Sequence, residues 1–331
     1  MDPTTLIGPE NSLGLPAPFW FIEFFKVLGF ALHMVPMNLW YAGLIISAIL
    51  SVRGSVNSKR FARRLIKQMP FFIAFGINLG IIPLLFTQVA YYQVFYPSTI
   101  LMAWPWFTVI GLLMVAYYGT YIYALQIRND HITRLGLAAG WMSTVMFITI
   151  GFLFANNFSL MVNLAAWPGL WQSTSVAGAP LGIALNLTDP TLWPRWLMML
   201  GLAVTTVGAY IIVDAAFFAR KESDAYKRWI PRAALIIYTI GIVKFAITGT
   251  WYFFLALRPD VRALMLSAPY VVLTIITAVA PGLPWLLILS QRKGVTRRLA
   301  LLTGLAQFGV IALNAVSRQA VQNADLGKYL D

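Results

Sequence analysis

The chain contains no cysteine and only two histidines. Without thiols, its own residues can form no disulfide, iron–sulfur cluster, thiolate zinc site or covalently attached c-type haem. Charged residues are also scarce, at 11% of the 331 residues, whereas about a quarter is typical of a soluble domain. No P-loop, zinc-binding HExxH motif or nucleophile elbow occurs. The sequence therefore lacks the usual motifs of a soluble enzyme.

Hydrophobic residues make up 60% of the chain and are concentrated in eight long apolar runs. A helix needs about 20 such residues to cross the ~30 Å hydrocarbon core of a bilayer. The runs cover approximately 18–50, 70–95, 104–127, 135–164, 194–219, 231–257, 264–290 and 299–317. They predict an all-α, polytopic transmembrane bundle of about eight helices that forms a single domain over 1–331 and contacts membrane lipid.

The net charge of +13 follows from basic residues in alternate loops between the runs. Cytoplasmic loops of membrane proteins are rich in Lys and Arg, so topology explains this charge without nucleic acid. We expect a bacterial inner (cytoplasmic) membrane protein with both termini outside. The basic residues assigned to the cytoplasmic side are Arg53, Lys59, Arg60, Arg63, Arg64, Lys67, Arg128, Arg134, Arg220, Lys221, Lys227, Arg228, Arg232, Arg292, Lys293, Arg297 and Arg298.

The segment 165–193 is the longest stretch without a predicted helix, and the orientation places it on the outer face. It contains Trp167-Pro168-Gly169-Leu170-Trp171 and later Asp189-Pro190, which combine turn formers with large apolar side chains. A solvated loop of this length does not require so much Trp and Leu. The composition predicts a cap or a platform that docks a partner.

His33 lies deep in the first apolar run, among Phe and Leu residues. An ionisable side chain at that depth is costly, so it is a candidate functional residue. One interpretation is a hydrogen bond to a neighbouring helix. The other is axial ligation of a b-type haem, for which imidazole is a common ligand. The other histidine, His131, follows Arg128-Asn129-Asp130 in a loop and cannot partner His33 across the membrane.

Lys244 lies near the middle of the sixth run, and Asp214 lies nearer the cytoplasmic end of the fifth. A lysine at mid-depth needs a carboxylate, carbonyl groups or a water-filled cavity. An interhelical tie and a place on a ligand or proton path both fit Lys244. Hydrogen bonding between helices is the favoured interpretation for the polar residues toward the outer side, namely Asn156, Asn157, Asn163, Asn314 and Arg318.

Several short segments occur in an order that resembles subunit I of cytochrome bd-type quinol oxidases, over roughly residues 20–230. His33 lies where that family's first helix bears a haem-ligating histidine. The other matching segments are Phe75-Gly76-Ile77-Asn78-Leu79-Gly80 with Gln88 and Tyr91-Tyr92 in the second helix, Ala155-Asn156-Asn157-Phe158 in the fourth, and Val204-Thr205-Thr206-Val207-Gly208-Ala209-Tyr210 in the fifth.

The chain also departs from the family's pattern. The family's fifth-helix histidine would fall near Met198 or Met199, and no histidine stands there. The third helix, 104–126, has no carboxylate to match the family's glutamates, and the quinol-binding loop is reduced to 258–264. The resemblance therefore implies a bd-like subunit that is not an oxygen reductase by itself.

The resemblance implies a membrane subunit of a respiratory electron-transfer complex, with a possible place in a quinol-linked oxidoreductase. The subunit would connect or anchor a periplasmic multihaem cytochrome to the membrane quinone pool. His33 would ligate the iron of one haem b, and the second ligand would be Met34, Met37, Met198 or Met199. Lys244 and Asp214 would lie on a quinone or proton path. Two alternatives stay open: a haem-free structural anchor, and a small-solute permease that uses Lys244.

Overall fold

The structure is a computed structural model that describes residues 2–129, 132–219 and 221–330. Within these residues, eight helical segments are long and apolar enough to cross a membrane, which confirms the all-α polytopic bundle. The predicted loop residues His131 and Arg220 lie outside the described residues. In the described ranges, extended structure is limited to a hairpin of β1 (Ser175–Val176) and β2 (Ala179–Pro180).

The α-helices are α1 (Phe19–Arg53), α2 (Val56–Ala90), α3 (Tyr92–Leu101), α4 (Ala103–Arg128), α5 (Arg134–Val162), α6 (Trp167–Ser173), α7 (Leu192–Phe217), α8 (Asp224–Thr250), α9 (Pro259–Met265), α10 (Tyr270–Val279), α11 (Gly282–Ser290) and α12 (Arg297–Leu326). A π-helical turn, Trp251–Ala256, extends α8, and α10 with α11 forms the seventh span.

Two helices extend well beyond the predicted apolar runs. α2 begins at Val56 instead of 70, so that only Gly54 and Ser55 separate it from α1. The helix start was missed because the first turns of α2 are basic. Hydropathy identifies the part of a helix that crosses the membrane but not the part that continues into water. Ser55 is the N-cap of α2: its hydroxyl accepts a hydrogen bond from the Ser58 amide at 3.3 Å. α12 extends to Leu326 instead of 317 because the polar residues of its last turns pack inside the protein.

The seventh span is interrupted near Pro281-Gly282-Leu283-Pro284, between α10 and α11. Unpaired carbonyls are costly in a membrane unless the protein supplies donors. The Tyr238 hydroxyl of α8 lies 3.1 Å from the Pro281 carbonyl oxygen and 2.9 Å from the Gln307 side-chain oxygen of α12, and its single O–H can donate to either. The break therefore lies beside two other helices.

α1 lies at the centre of the bundle and packs against α2, α5, α7 and α12. Close backbone contact joins α7 to α8: a Cβ at Gly201 would lie 2.7 Å from the Phe245 amide nitrogen, and one at Gly241 would lie 2.6 Å from that of Thr205. Small residues permit such contact between membrane helices. The bundle has one end that carries the N-terminus, called the N-terminal face, and an opposite end that carries Arg53, Arg128 and Lys293, called the basic face.

The segment 165–193 is more ordered and more self-contained than predicted, since it includes all of α6 and the hairpin. The Trp167 side chain is fully buried, and its indole N–H donates to the Leu160 carbonyl at 2.9 Å. Asn156 accepts the Asn186 amide at 3.0 Å, and Asp189 accepts the Ser159 hydroxyl. Trp167 is therefore buried by the chain itself and is not available to a partner. Asn156 holds this segment against α5 through its hydrogen bond to Asn186.

Candidate functional site

A cavity of about 400 Å³ lies between α1, α2, α4, α5, α7 and α12. Its volume falls in the range of ~300–1,000 Å³ that is typical of pockets for small molecules and cofactors. Its wall is mostly apolar, with Phe30, Trp40, Phe147 and Phe154 among the lining side chains. Along α1 it extends from Lys26 to Tyr41, about 22 Å at 1.5 Å per residue. The cavity therefore reaches from the N-terminal face toward the middle of the bundle.

His33 lines this cavity and is held by α2. Its Nδ1 lies 2.8 Å from the Gly76 carbonyl oxygen. Because a carbonyl can only accept, the shared proton is on Nδ1, and the neutral imidazole then presents an Nε2 lone pair. Nε2 has no hydrogen-bond partner among the described residues. A backbone carbonyl on one ring nitrogen is the usual support for a histidine whose other nitrogen binds a metal.

Two glycines of α2 create the space for this arrangement. A Cβ at Gly80 would lie 2.8 Å from His33 Cε1 and 2.9 Å from Nδ1. A Cβ at Gly76 would lie 2.0 Å from Cζ3 of Trp40, whose ring is edge-on to His33 with 6.1 Å between the centroids. The spacing of four residues aligns both glycines on one face of α2. This face receives the two rings of α1.

All four methionines considered as second haem ligands line the same cavity: Met34, Met37, Met198 and Met199. Met34 and Met37 lie on α1 beside His33, and Met34 is only 2% exposed. Met198 and Met199 lie on α7, a different wall of the cavity. The structure thus brings together the residues that the sequence proposed for a cofactor, on two separate helices.

Three cations line the part of the cavity near the N-terminal face: Lys26 of α1, Arg195 of α7 and Arg318 of α12. Lys26 is 7% exposed and donates to the Gln319 and Gln322 side chains at 2.5 and 3.0 Å. The Arg318 guanidinium lies 4.9 Å from the Phe30 ring centroid. Neither arginine side chain forms a hydrogen bond or ion pair with the part of the chain that the structure describes.

Glu23, one turn before Lys26, is held by neutral donors. Asn323 and Gln319 donate to its carboxylate at 2.6 and 3.1 Å. Tyr91 donates to the Asn323 side chain at 2.7 Å, which extends the network to the end of α2. The carboxylate is thus engaged away from the two arginines, and it is not among the residues that line the cavity.

Lys244 and Asp214 are not brought together. The Asp214 carboxylate, 3% exposed, accepts from Arg64 of α2 at 2.8 and 3.0 Å, and Arg64 also pairs with Glu222 at 3.0 Å. This cluster lies at the basic face and joins α2 to α7. The Lys244 side chain makes no hydrogen bond or ion pair within the described ranges. Neither residue lines the cavity, and their role on a quinone or proton path stays a prediction.

Sequence reasoning identified His33 and the methionines, but it missed Lys26 and Arg195 as site residues. It favoured hydrogen bonding between helices for Arg318, whereas the Arg318 side chain lines the cavity and forms no hydrogen bond with the described residues. Lys26 and Arg195 both lie near the outer ends of predicted spans, where a basic residue has an ordinary place at the membrane interface. The one indication in the sequence was that both basic residues lie at the end of the bundle opposite the basic loops. Only the rotation of α1 and α7 shows that they face the cavity.

Comparison with models of known protein families gave no match to this chain, and a search of curated proteins gave none either.

Proposed function

We propose that the chain is the haem-binding membrane subunit of a respiratory electron-transfer complex, with one haem b bound in the cavity through His33. The observation that carries this proposal is the imidazole geometry. The Gly76 carbonyl fixes the proton on Nδ1, and the partner-free Nε2 belongs to a side chain that lines a mostly apolar cavity. An apolar wall with one convergent ligand fits a tetrapyrrole, which is large and mostly apolar.

Met198 or Met199 is the proposed second axial ligand. A second ligand would come from a wall of the cavity other than the one that carries His33. Met34 and Met37 follow His33 by one and four residues on the same helix, which places them on the wall that carries the histidine. Met198 and Met199 line the cavity from α7. A thioether paired with imidazole raises the haem potential, as in electron-transfer cytochromes.

Haem in this cavity would supply one-electron transfer, while the aromatic and aliphatic wall would exclude water from it. The cavity reaches the N-terminal face, and the positive-inside rule favours an orientation in which this face lies outside the cytoplasm. We propose that a periplasmic multihaem cytochrome exchanges electrons there and that the subunit connects this partner to the quinone pool. The exposed Leu181, Ile183 and Leu187 of the 165–193 segment lie on this face and supply an apolar surface for such a partner.

The test is the absorption spectrum of the purified protein and of His33→Ala. Wild-type protein is expected to show a b-type Soret band, and His33→Ala is expected to lose it while staying inserted and folded. Ile77→Ala is the matched control, because Ile77 lines the same cavity but offers no ligating atom. Its band should persist.

Two results would contradict the proposal. If the purified wild-type protein binds no haem, even when haem is added, the anchor interpretation replaces it. If His33→Ala keeps the wild-type band, the haem is held by other groups and the ligand assignment is wrong.

A further inference from the structure

We infer that the cavity binds an amphipathic ligand with carboxylate groups, which Lys26, Arg195 and Arg318 hold at the N-terminal face. The inference deepens the proposed function and rests on it for the identity of the ligand: in haem b, the carboxylates are the two propionates. A fatty acid carries the same chemistry, a carboxylate on an apolar body. The two sources are separated by the experiment below.

Arg318 is the strongest part of the argument. Its guanidinium lies 4.9 and 5.5 Å from the ring centroids of Phe30 and Phe158, and both phenylalanines line the cavity. The aromatic rings attract the planar guanidinium through cation–π contacts. They offer no oxygen acceptor for its five N–H donors, which lie in the plane of the guanidinium. Within the described part of the chain, no carboxylate or carbonyl accepts from it. A planar donor set of this kind matches a carboxylate.

Arg195 and Lys26 add positive charge to the same part of the cavity. Arg318 lies within electrostatic range of both, so its positive charge is repelled by each of them. Such a cluster is unfavourable in a membrane protein unless an anion balances it. Lys26 is bound by two amide oxygens, which satisfy its donors without neutralising its charge.

Carboxylates lie near these cations but outside the cavity wall: Glu23 is within electrostatic range of Lys26, and Asp325 is within electrostatic range of Arg195. Glu23 accepts from Gln319 and Asn323, as described above. Asp189 accepts from the Thr191 amide at 2.8 Å, and Asp325 pairs with Arg258 at 3.5 Å. Asp189, Asp325 and Glu23 do not line the cavity, whereas the three cations do. The charge that faces the cavity is therefore positive.

The position of the cations along the helices fits one ligand that also reaches His33. Lys26 precedes His33 by seven residues, two helical turns, or about 10 Å along α1. If His33 held the iron of a haem, Lys26, Arg195 and Arg318 would be the groups that hold its carboxylates at the N-terminal face. Simple snorkelling to the lipid surface does not explain Arg318, because it lines the cavity between two aromatic rings.

The experiment compares haem with its dimethyl ester, which keeps the iron and the macrocycle but lacks the carboxylates. Both are titrated into haem-depleted protein in detergent, and binding is followed by the Soret band. Wild-type protein is expected to bind haem roughly tenfold or more tightly than the ester, because charge-assisted hydrogen bonds are the strong ones. In the double variant Arg195→Gln/Arg318→Gln, this preference is expected to fall close to one.

Arg262→Gln is the matched control, since Arg262 donates to the Phe254 carbonyl at 2.6 Å and does not line the cavity. It should keep the wild-type preference. Arg318→Lys, which keeps the charge, should retain part of it. Ester binding that is equal in wild-type and double-variant protein shows that the double variant is folded. A double variant with the full wild-type preference for haem would overturn the inference and leave the proposed function standing.

A second arm covers failure of the proposed function. If neither haem nor its ester binds, oleate and oleyl alcohol are compared by quenching of tryptophan fluorescence, since Trp196 and Trp40 line the cavity. Oleate that binds more tightly than the alcohol in wild-type protein, with the difference lost in the double variant, would support the carboxylate site with a fatty acid as the source. No difference in wild-type protein would overturn the carboxylate site as well.

Discussion

The contact between His33 and the two glycines of α2 gives a graded test of the site. Gly80→Ala would place a Cβ 2.8 Å from His33 Cε1, and Gly76→Ala would place one 2.0 Å from the Trp40 ring. Gly111→Ala is the matched control, because nothing lies within 4 Å of a Cβ there. All three glycines are inside membrane-spanning helices, so the change in helix propensity from glycine to alanine is the same for the three variants.

The magnitudes follow from these distances. Alanine is favoured over glycine in a helix by about 1 kcal/mol, so Gly111→Ala is expected to raise the free energy of unfolding. At Gly80, overpacking costs about 1–3 kcal/mol. Displacement of His33 from the Gly76 carbonyl adds about 0.5–1.5 kcal/mol. The net effect of Gly80→Ala is then a loss of about 0.5–3.5 kcal/mol in the free energy of unfolding.

Gly76→Ala should cost more, because the Trp40 ring that must move is only 7% exposed. The assay is unfolding of the detergent-solubilised protein, followed by tryptophan fluorescence, with haem content measured on the same samples. The expected order of stability is Gly111→Ala, then Gly80→Ala, then Gly76→Ala. If all three variants unfolded at the same midpoint, the close packing of His33 and Trp40 on α2 would be refuted.

Two further predictions concern the basic face. Cysteine introduced in place of Arg60 or Lys293 should resist an impermeant reagent added from outside the cell, because the positive-inside bias places both residues in the cytoplasm; labelling from outside would overturn the orientation. Asp214→Asn should lower the free energy of unfolding by about 3 kcal/mol or more, because it leaves Arg64 without its buried partner. Asp260→Asn, at an exposed ion pair with a carboxylate side chain 64% exposed, should cost at most about 1 kcal/mol, and equal losses at both positions would contradict the burial argument.

The fold could be predicted from the sequence because the bilayer imposes one requirement on every span. A crossing needs a long apolar run, and all backbone groups must be paired within the helix. Helix ends were predicted less well because this requirement stops at the membrane surface. α2 continues through the basic residues from Lys59 to Lys67, and α12 continues past Arg318. Helix propensity and capping govern those turns.

The site could be predicted only in part. His33 stands out because an ionisable group is rare in an apolar run, and its depth alone marks it. The partner of its Nδ1 could not be predicted, because a carbonyl carries no signal in the sequence. The same holds for the cations: Lys26 and Arg195 are ordinary near a membrane interface, and only the packing of α1 against α7 and α12 turns them toward one cavity.

The anchor and haem interpretations differ in what they leave unexplained. In a purely structural bundle, the bond from His33 to Gly76 ties α1 to α2, but a side chain with a single donor would do the same. Such a bundle also has no evident use for Arg318 at the cavity wall, where its side chain forms no ion pair with the described residues, since it could face lipid headgroups at lower electrostatic cost. These two features lie at different depths of one apolar cavity. The proposed ligand, with a metal at its centre and carboxylates at one edge, would account for both, whereas helix packing accounts only for the bond from His33 to Gly76.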